Sequence, residues 1–180
     1  MNLSLGAIFA CLCNTDFCND ADQVINKKSR GKSRTSERPR SSPVTRGRTC
    51  PRDFDLVDGE CYHMSTERVG WIEARKKCEV KKSKLISFDT DKKRKLMSEY
   101  IGSNIGRRRQ EFWTSGNDIA REGVWQWAEQ PGSKVSSSGW LESPFISLEE
   151  NCLVWSVGRG RDGWLGSSCC NSIGYICELL

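Results

Sequence analysis

Cysteine is the residue type with the clearest chemistry in this sequence of 180 residues, which contains ten of them. Six recur through the tryptophan-rich stretch that runs to the C-terminus, and they are Cys50, Cys61, Cys78, Cys152, Cys169 and Cys177. An even set of cysteines behind an apolar N-terminus is typical of a disulfide framework formed in an oxidising compartment. Spacing alone leaves the connectivity of such a framework open.

The other reactive side chains form no recognisable catalytic set. His63 is the only histidine, and the sequence offers it no nucleophile or acid partner. The adjacent Glu149 and Glu150 have no feature that marks them as an acid/base pair. The neighbouring Cys169 and Cys170 lack the paired spacing and the histidines that zinc sites usually have. We therefore predict a protein that is not an enzyme.

Two segments predict the helices that position these residues. Trp71, Ala74 and Cys78 share one face at helical spacing, which predicts a helix over residues 71–80. A second helix is predicted over residues 91–101. The side chains that it should bury are Leu96, Met97, Tyr100 and Ile101. Capping oxygens and negative charge for its N-terminus are available from Asp89, Thr90 and Asp91.

Short strands are predicted on both sides of the helices. Asp58 and Gly59 form a turn dipeptide between Cys50 and Cys61, which predicts a hairpin stapled by a disulfide. After the second helix, strand-like apolar runs occur at residues 112–114, 124–127, 152–155 and 175–177. Two helices combined with antiparallel strands and long loops form an α+β domain.

Several motifs around these cysteines resemble those of the C-type lectin-like domain. They are residues 71–74 before Cys78, Trp164 five positions before Cys169, and the closing run of residues 173–178. The ordered set covers residues 50–180, and the run at residues 112–118 is similar to secreted invertebrate members of the family. The resemblance implies the C-type lectin-like fold, in which two helices, antiparallel strands and a long-loop region are stabilised by disulfides.

The same resemblance implies how the six cysteines pair. In the long form of the family the bonds are Cys50–Cys61, Cys78–Cys177 and Cys152–Cys169. Cys170 has no partner in this scheme, so it is expected to be unpaired or to form an intermolecular bond. A disulfide-linked dimer is one outcome, and a bond to Cys18 is another if the mature chain keeps that residue.

The resemblance also identifies the place where sugar-binding members of the family hold calcium. Two ligand positions align with Gln130 and Gly132, an acid aligns with Glu150, and the last two align with Leu165 and Gly166. Calcium takes six to eight oxygen ligands, mostly from carboxylates and amides. Only Gln130 and Glu150 supply side-chain oxygens, so we predict that this calcium site is lost and that the chain has no cofactor. A weaker calcium site elsewhere in the loops stays open.

A different ligand surface is predicted in the long loop before Glu150. Trp140 and Phe145 are aromatic side chains in a part of this fold that is commonly exposed. Either one can stack on a sugar or anchor a protein partner. The alternative is that Trp140 folds back onto the domain. We take Gln130, Glu150, Trp140 and Phe145 as the candidate ligand-binding residues.

Hydropathy and charge divide the chain into three parts. Residues 1–21 contain an apolar run that is too short to span a bilayer, and they are predicted to be a secretory signal peptide with its cleavage site open. Residues 22–49 are rich in Ser, Arg and Lys, which predicts a disordered tether that attracts polyanions. Residues 50–180, the predicted domain, hold 19 basic and 19 acidic residues. This balance argues against a nucleic-acid-binding fold.

These patterns together predict a secreted, extracellular, non-catalytic recognition module with no membrane span and no nucleic-acid ligand. The favoured ligand is a glycan or glycoprotein, bound without calcium by the Trp140 loop or by the basic runs at residues 75–84, 92–95 and 107–109. The alternative is a protein-binding or extracellular matrix assembly module with no sugar ligand.

Overall fold

The computed structural model describes residues 49–106, 108–130, 132–142, 148–158 and 160–180. The predicted signal peptide, the predicted tether apart from Thr49, and Phe145 lie outside the described residues. Within the described ranges, no helix has the length and apolar character needed to cross a membrane.

Two helices and eight strands make up the described domain, which has the predicted α+β architecture. In chain order they are β1 (Asp55–Val57), β2 (Glu60–Val69), α1 (Trp71–Val80), β3 (Ser83–Leu85), α2 (Asp91–Ile105), β4 (Gln110–Asn117), β5 (Gln126–Trp127), β6 (Cys152–Val157), β7 (Gly163–Ser167) and β8 (Ile173–Leu179). The strands form one sheet in the order β1-β2-β8-β4-β6-β7, with β3 paired to β8 and β5 paired to β4. Paired strands are antiparallel except for β4 and β8, which are parallel.

The β1–β2 hairpin closes at the predicted turn dipeptide. Asp58 and Gly59 have positive φ angles of 48° and 85°, which is the backbone of a two-residue turn that matches the twist of the strands. A disulfide joins Cys50 to Cys61 on β2, with their Cα atoms 5.6 Å apart. The predicted stapled hairpin is therefore confirmed.

Helix α1 has the predicted bounds and buries the predicted face. Trp71, Ala74 and Cys78 are its buried residues. The indole Nε1 of Trp71 donates a hydrogen bond of 2.7 Å to the carbonyl oxygen of Thr114 on β4. Helix α1 is therefore fixed to the sheet by a directional contact as well as by packing.

Helix α2 begins where predicted but ends one turn later. The Thr90 hydroxyl accepts a hydrogen bond of 3.2 Å from the backbone N–H of Lys93, as expected of an N-cap. Gly102 stays within the helix, and the chain leaves it at Gly106, whose φ of 71° ends the helical run. The predicted end at residue 101 is therefore too early.

The buried stripe of α2 is narrower than the sequence indicates. Met97 and Ile101 are buried, whereas Leu96 and Tyr100 are only half-buried. The hydroxyl of Tyr100 donates a hydrogen bond to the carboxylate of Asp55 on β1. The physical reason is that this flank of α2 lies against the hairpin, whose edge is polar, rather than against the core.

The sequence does not indicate β3 or β7. Their residues, Ser-Lys-Leu and Gly-Trp-Leu-Gly-Ser, contain no β-branched side chain. Each is aligned by a neighbouring strand instead, β3 by β8 and β7 by β6. Of the strand predicted over residues 124–127, only Gln126–Trp127 pairs as β5.

Strand β8 lies at the centre of the connections within the sheet. It pairs with β2, β3 and β4, and its Cys177 is bonded to Cys78 of α1. In the chain-entropy model, closing a loop of this length stabilises the fold by about 4–5 kcal/mol. A further bond joins Cys152 to Cys169. The pairings that the resemblance implies are therefore those of the structure.

Tryptophan fills the core on both faces of the sheet. Alternate residues of a strand point to opposite faces, so Phe112 and Trp155 pack in a cluster with α2 while Trp113 and Val154 pack in a cluster with α1. The fully buried tryptophans among the described residues are Trp71, Trp113, Trp127, Trp155 and Trp164. Their rings fix the separation between the sheet and the two helices.

Two glycine substitutions test this packing. A Cβ atom on Gly116 of β4 would lie 2.4 Å from Cδ2 and 2.8 Å from Cβ of Leu153, so Gly116→Ala must push β4 and β6 apart. We expect it to lower the free energy of unfolding by about 1–3 kcal/mol. Gly102→Ala is the matched control, because its Cβ meets nothing within 4 Å and alanine favours a helix by about 0.5–1 kcal/mol. Urea unfolding of the full chain measures both, and effects of the same sign would contradict this packing.

Candidate functional site

The predicted calcium position lies at the edge where β6 and β7 pair. Gly166 of β7 is opposite Leu153 of β6, and a Cβ atom built on Gly166 would lie 3.6 Å from the Cβ atom of Glu150. The structure therefore brings Glu150 and Gly166 together. Glu150 is exposed, whereas Leu165 packs against the core cluster that contains α1. At this position Glu150 supplies a carboxylate, Leu165 supplies an apolar side chain, and Gly166 has no side chain.

Gln130 lies in the turn that follows β5. Its backbone N–H donates a hydrogen bond of 3.2 Å to the carbonyl of Trp127, and its carbonyl accepts one of 2.9 Å from the N–H of Ser133. Gly132 in the same turn has a φ of 82°, a left-handed conformation that favours glycine. The shape of the turn thus accounts for a glycine where the family has an oxygen-bearing side chain. The described contacts include none between Gln130 and Glu150.

Trp140 is folded back onto the domain. Its ring packs edge-on against Trp125 with the centroids 5.2 Å apart, and its indole Nε1 donates a hydrogen bond of 3.2 Å to the carbonyl of Ser136. The loop on either side is held to β7, because Trp164 N–H bonds to the carbonyl of Gly139 and Trp164 carbonyl accepts from the N–H of Leu141. Trp140 is therefore half-buried, which is the fold-back alternative.

Three residues that are at least partly exposed lie together over the buried Trp125, and we call this group of four residues the long-loop face: Trp125, Trp140, Glu150 and Gly166. The Cβ position of Gly166 is 3.6 Å from Cζ2 of Trp125 as well as from Glu150, and Trp125 carries Trp140 on its other side. The face therefore presents the exposed carboxylate of Glu150 and the half-buried ring of Trp140, which packs against the buried ring of Trp125. Phe145, the other aromatic candidate, lies outside the described residues, so its role stays a prediction.

A second polar group, not identified from the sequence, lies beside this face. We call it the acidic loop cluster, and it consists of Asp118, Glu122 and Asn151. Asp118 N–H donates a hydrogen bond of 3.2 Å to the carbonyl of Asn151, and one Asp118 carboxylate oxygen accepts 2.8 Å from the N–H of Gly123. Four buried oxygens have no hydrogen-bond partner among the described residues: Asp118 Oδ1, Glu122 Oε1, Glu122 Oε2 and Asn151 Oδ1.

The electrostatics of the acidic loop cluster favour a positive charge. Burial raises the pKa of Asp118 to about 6, and the charge of Glu122 adds to the shift while the Gly123 N–H opposes it. Buried oxygens without partners are rare, and an ion or water is the usual explanation. Carboxylate and amide oxygens are the ligands that calcium takes. The cluster fits a calcium ion by its donor atoms.

One sequence signal could have identified this cluster. Asp118 and Glu122 are four residues apart and are followed by Gly123, in a loop that carries no helical pattern. Asn151 directly follows Glu150, but nothing local connects it to residues so much earlier in the chain. The pairing of β4 with β6, through Asn117 and Cys152, brings the two segments together.

The basic runs of the domain are partly neutralised by acids. Ion pairs of 2.6–3.7 Å join residues of all three runs to carboxylates, and they are Arg75–Glu129, Lys77–Glu67, Lys92–Asp58, Lys93–Glu178, Arg94–Asp91 and Arg109–Glu111. Exposed pairs of this kind contribute about 0–1 kcal/mol each to stability, so their main effect here is on surface charge. They reduce the attraction of the runs for acidic glycans.

The remaining reactive residues have structural contacts. The Nδ1 atom of His63 lies 2.7 Å from the carbonyl oxygen of Asp53, and its ring packs between Phe54 and Tyr175. Cys170 is exposed and disulfide-bonded, so it is not a free thiol. Its bond to Cys18, or to another chain, stays a prediction.

Comparison with known proteins places this architecture in one family. The family profile described as "Lectin C-type domain" matches residues 67–179. Among curated relatives, the "Hepatic lectin" of Gallus gallus is 28% identical over 130 residues, which are 71% of this chain and 58% of that protein. The chain thus spans less than two thirds of the length of that relative.

Solved structures agree with this assignment. The carbohydrate-recognition domain of the mouse scavenger receptor C-type lectin is 25% identical, with a TM-score of 0.60 over 72% of this chain and 94% of that chain. A calcium-independent type II antifreeze protein has the same fold, at 21% identity and a TM-score of 0.59 over 72% of this chain and 93% of that one. Domains of this kind are non-enzymatic binding modules. The sequence, the disulfides and the fold together show that this chain belongs to the C-type lectin domain family.

Proposed function

We propose that this protein is a secreted recognition module whose long-loop face binds a neutral glycan directly, without a calcium ion that coordinates the sugar. The observation that carries the proposal is the exposed Glu150 carboxylate beside the bare Gly166 and the half-buried Trp140, whose ring packs on the buried Trp125. Carboxylates accept hydrogen bonds from sugar hydroxyls, and tryptophan rings pack against the apolar faces of sugars. The three described disulfides support an oxidising, extracellular location.

The charge around the long-loop face favours a neutral sugar over a sulfated one. Glu142, Glu149 and Glu150 are all exposed in the loop that borders it. Each of these exposed carboxylates disfavours an anionic ligand. The predicted attraction for polyanions therefore belongs to the basic segment before residue 50, where it stays a proposal.

We infer direct contact between the glycan and the protein because the family's calcium position lacks most of its oxygen ligands in this chain. Six to eight oxygens are needed around calcium, and Glu150 brings the only carboxylate there. Gly132 and Gly166 have no side chains, and Leu165 is committed to the core. Because a calcium-independent antifreeze protein shares this fold, the fold itself does not require the ion.

A calcium ion is proposed instead at the acidic loop cluster, as a structural ion. Asp118, Glu122 and Asn151 would hold it through the buried oxygens that have no other partner among the described residues. Such an ion supplies positive charge that offsets the mutual repulsion of the two carboxylates. It would fix the loop after β4 against the start of β6 and need not touch the ligand.

A protein-binding role is the second candidate. Leu148 is 51% exposed next to Glu149, and an apolar side chain there suits a protein partner. The other large apolar side chains that are exposed in the described part of the chain are Leu56, Val80 and Leu180. They belong to other elements and form no extension of the long-loop face. The mixed aromatic and carboxylate character of that face favours the glycan.

Substitutions on the long-loop face test glycan binding. We expect Trp140→Ala and Glu150→Gln each to weaken binding about tenfold or more, because one stacking contact or one charge-assisted hydrogen bond is lost. Trp140→Phe keeps an aromatic ring and Glu149→Gln removes a neighbouring charge, so both should retain most of the affinity. A glycan array probed with the full chain in EDTA identifies the glycan that is bound. The same array probed with each variant measures the change in binding. Binding that disappears in EDTA, or that survives both substitutions, would contradict the proposal.

Calcium-dependent stability tests the acidic loop cluster. We expect millimolar calcium to raise the melting temperature of the full chain by several degrees over EDTA, since a native-state ligand at 100 times its Kd stabilises by about 2.7 kcal/mol. Glu122→Gln should abolish this shift and Glu150→Gln should keep it. Differential scanning calorimetry measures all three proteins. A wild-type chain without a shift would count against the cation in the cluster, and a shift lost only in Glu150→Gln would place the ion at the sugar position.

A further inference from the structure

The segment that carries Trp140, residues 136–141, forms no helix or strand in the described structure. Its first four residues, Ser-Ser-Ser-Gly, are exposed. We call residues 136–141 the Trp140 segment. Ordering such a segment opposes the conformational entropy of its backbone, and glycine loses the most. Contacts from other elements must therefore fix the position of the tryptophan ring.

Two arginines reach the Trp140 segment from different elements. Arg161, in the turn between β6 and β7, donates a hydrogen bond of 3.1 Å from Nη2 to the carbonyl oxygen of Leu141. From α2, Nη1 of Arg94 lies 3.5 Å from the carbonyl oxygen of Ser138 and donates to it. One acceptor precedes Trp140 in the chain and the other follows it, so the segment is held on both sides of the ring.

The contact made by Arg94 depends on the local backbone. Gly139 has a φ of 89°, and a Cβ atom at this position would clash with the guanidinium group of Arg94. Asp91, one turn earlier on α2, pairs with the same guanidinium group at 3.0 Å through Nη2. Glycine at this position thus allows Arg94 to lie against the segment, and Asp91 orients it.

The position of the Trp140 ring follows that of its segment. The indole Nε1 bonds to the carbonyl of Ser136, which belongs to the same segment, so this bond does not connect the ring to the rest of the domain. Backbone hydrogen bonds to Trp164 and packing on Trp125 make that connection, and the two arginines add to it. A side chain that must be ordered when a ligand binds costs affinity, whereas one that is already in place does not.

We propose that Arg94 and Arg161 are positioning residues for glycan binding, because they hold the Trp140 segment so that its ring is in place before a ligand binds. Neither arginine has to touch the ligand, and both terminal nitrogens of Arg94 are already engaged by Ser138 and Asp91. The proposal rests on the proposed function of the long-loop face. The position of the ring can nevertheless be measured without a ligand.

Fluorine NMR tests the position of the ring in the full chain. Labelling with 5-fluorotryptophan gives one resonance for each of the seven tryptophans, and Trp140→Phe identifies that of Trp140. We expect Arg94→Ala and Arg161→Ala each to enlarge the change in the Trp140 chemical shift between H2O and D2O, because a released ring is more exposed to solvent. Trp71, which belongs to the core cluster that contains α1, should keep its resonance.

Arg108→Ala and Arg161→Lys are the matched controls. Arg108 is exposed and takes no part in the described hydrogen bonds to the Trp140 segment, so Arg108→Ala removes the same charge elsewhere and should leave the Trp140 resonance unchanged. Arg161→Lys keeps a charged donor and should retain most of the wild-type signal. Melting temperatures verify that every variant folds. An equal effect of Arg108→Ala would overturn the proposal, and so would a Trp140 resonance that neither alanine substitution at the two positioning residues alters.

A double-mutant cycle separates positioning from direct contact with the ligand. Its probe is the neutral glycan that binds the wild-type chain most strongly on the array in EDTA. We expect Arg161→Ala to weaken binding about three- to tenfold in the wild-type chain. In the Trp140→Ala background the same change should weaken binding by less than about twofold, because no ring is left to position.

The outcomes distinguish this proposal from the proposed function. An equal loss in both backgrounds would mean that Arg161 contacts the glycan itself, and it would overturn the positioning role. If no glycan binds the wild-type chain, the proposed function fails and the role of the arginines in binding fails with it. The fluorine measurement then still decides whether the two arginines hold the ring of Trp140.

Discussion

The pairing of β8 with three other strands is the constraint on which the rest of the structure depends. Strand β8 contacts β2, β3 and β4 along its length, and Cys177 within it is bonded to α1 through Cys78. Strand β2, near the start of the described residues, therefore pairs directly with β8 at their end. Among the three described bonds, the Cys78–Cys177 bond restricts the unfolded chain most because it closes the longest loop. Every other element packs against a frame that this strand and its disulfide have already fixed.

The long-loop face, the proposed ligand-binding surface, is positioned by the opposite side of that frame. Strands β6 and β7 are joined by their ladder and by the Cys152–Cys169 bond, so Gly166 and Glu150 keep a fixed relation. The loop that contains Trp140 is attached to β7 by backbone hydrogen bonds to Trp164. A rigid scaffold of this kind can exchange its ligand chemistry without a change of fold. Here a leucine and a glycine, Leu165 and Gly166, occupy two positions where the family has ion ligands. The pairing of β6 with β7 is nevertheless intact.

Charge is distributed unevenly among the polar parts of the domain. In the acidic loop cluster the carboxylates are buried, and burial raises the pKa of Asp118. The basic runs differ, because ion pairs hold six of their basic side chains against carboxylates. The charges of residues 50–180 sum to zero, so these differences are local.

The sequence by itself determined the α+β class, the start of both helices, the stapled hairpin and the absence of oxygen ligands at residues 132, 165 and 166. These properties depend on residue identity and on spacing within one segment, such as the helical repeat of Trp71, Ala74 and Cys78. The disulfide pairing came from the family resemblance rather than from spacing. Only the tertiary structure decided that Trp140 folds against Trp125 and that Asn151 joins Asp118. Those contacts join segments far apart in the chain, and packing rather than local preference selects them.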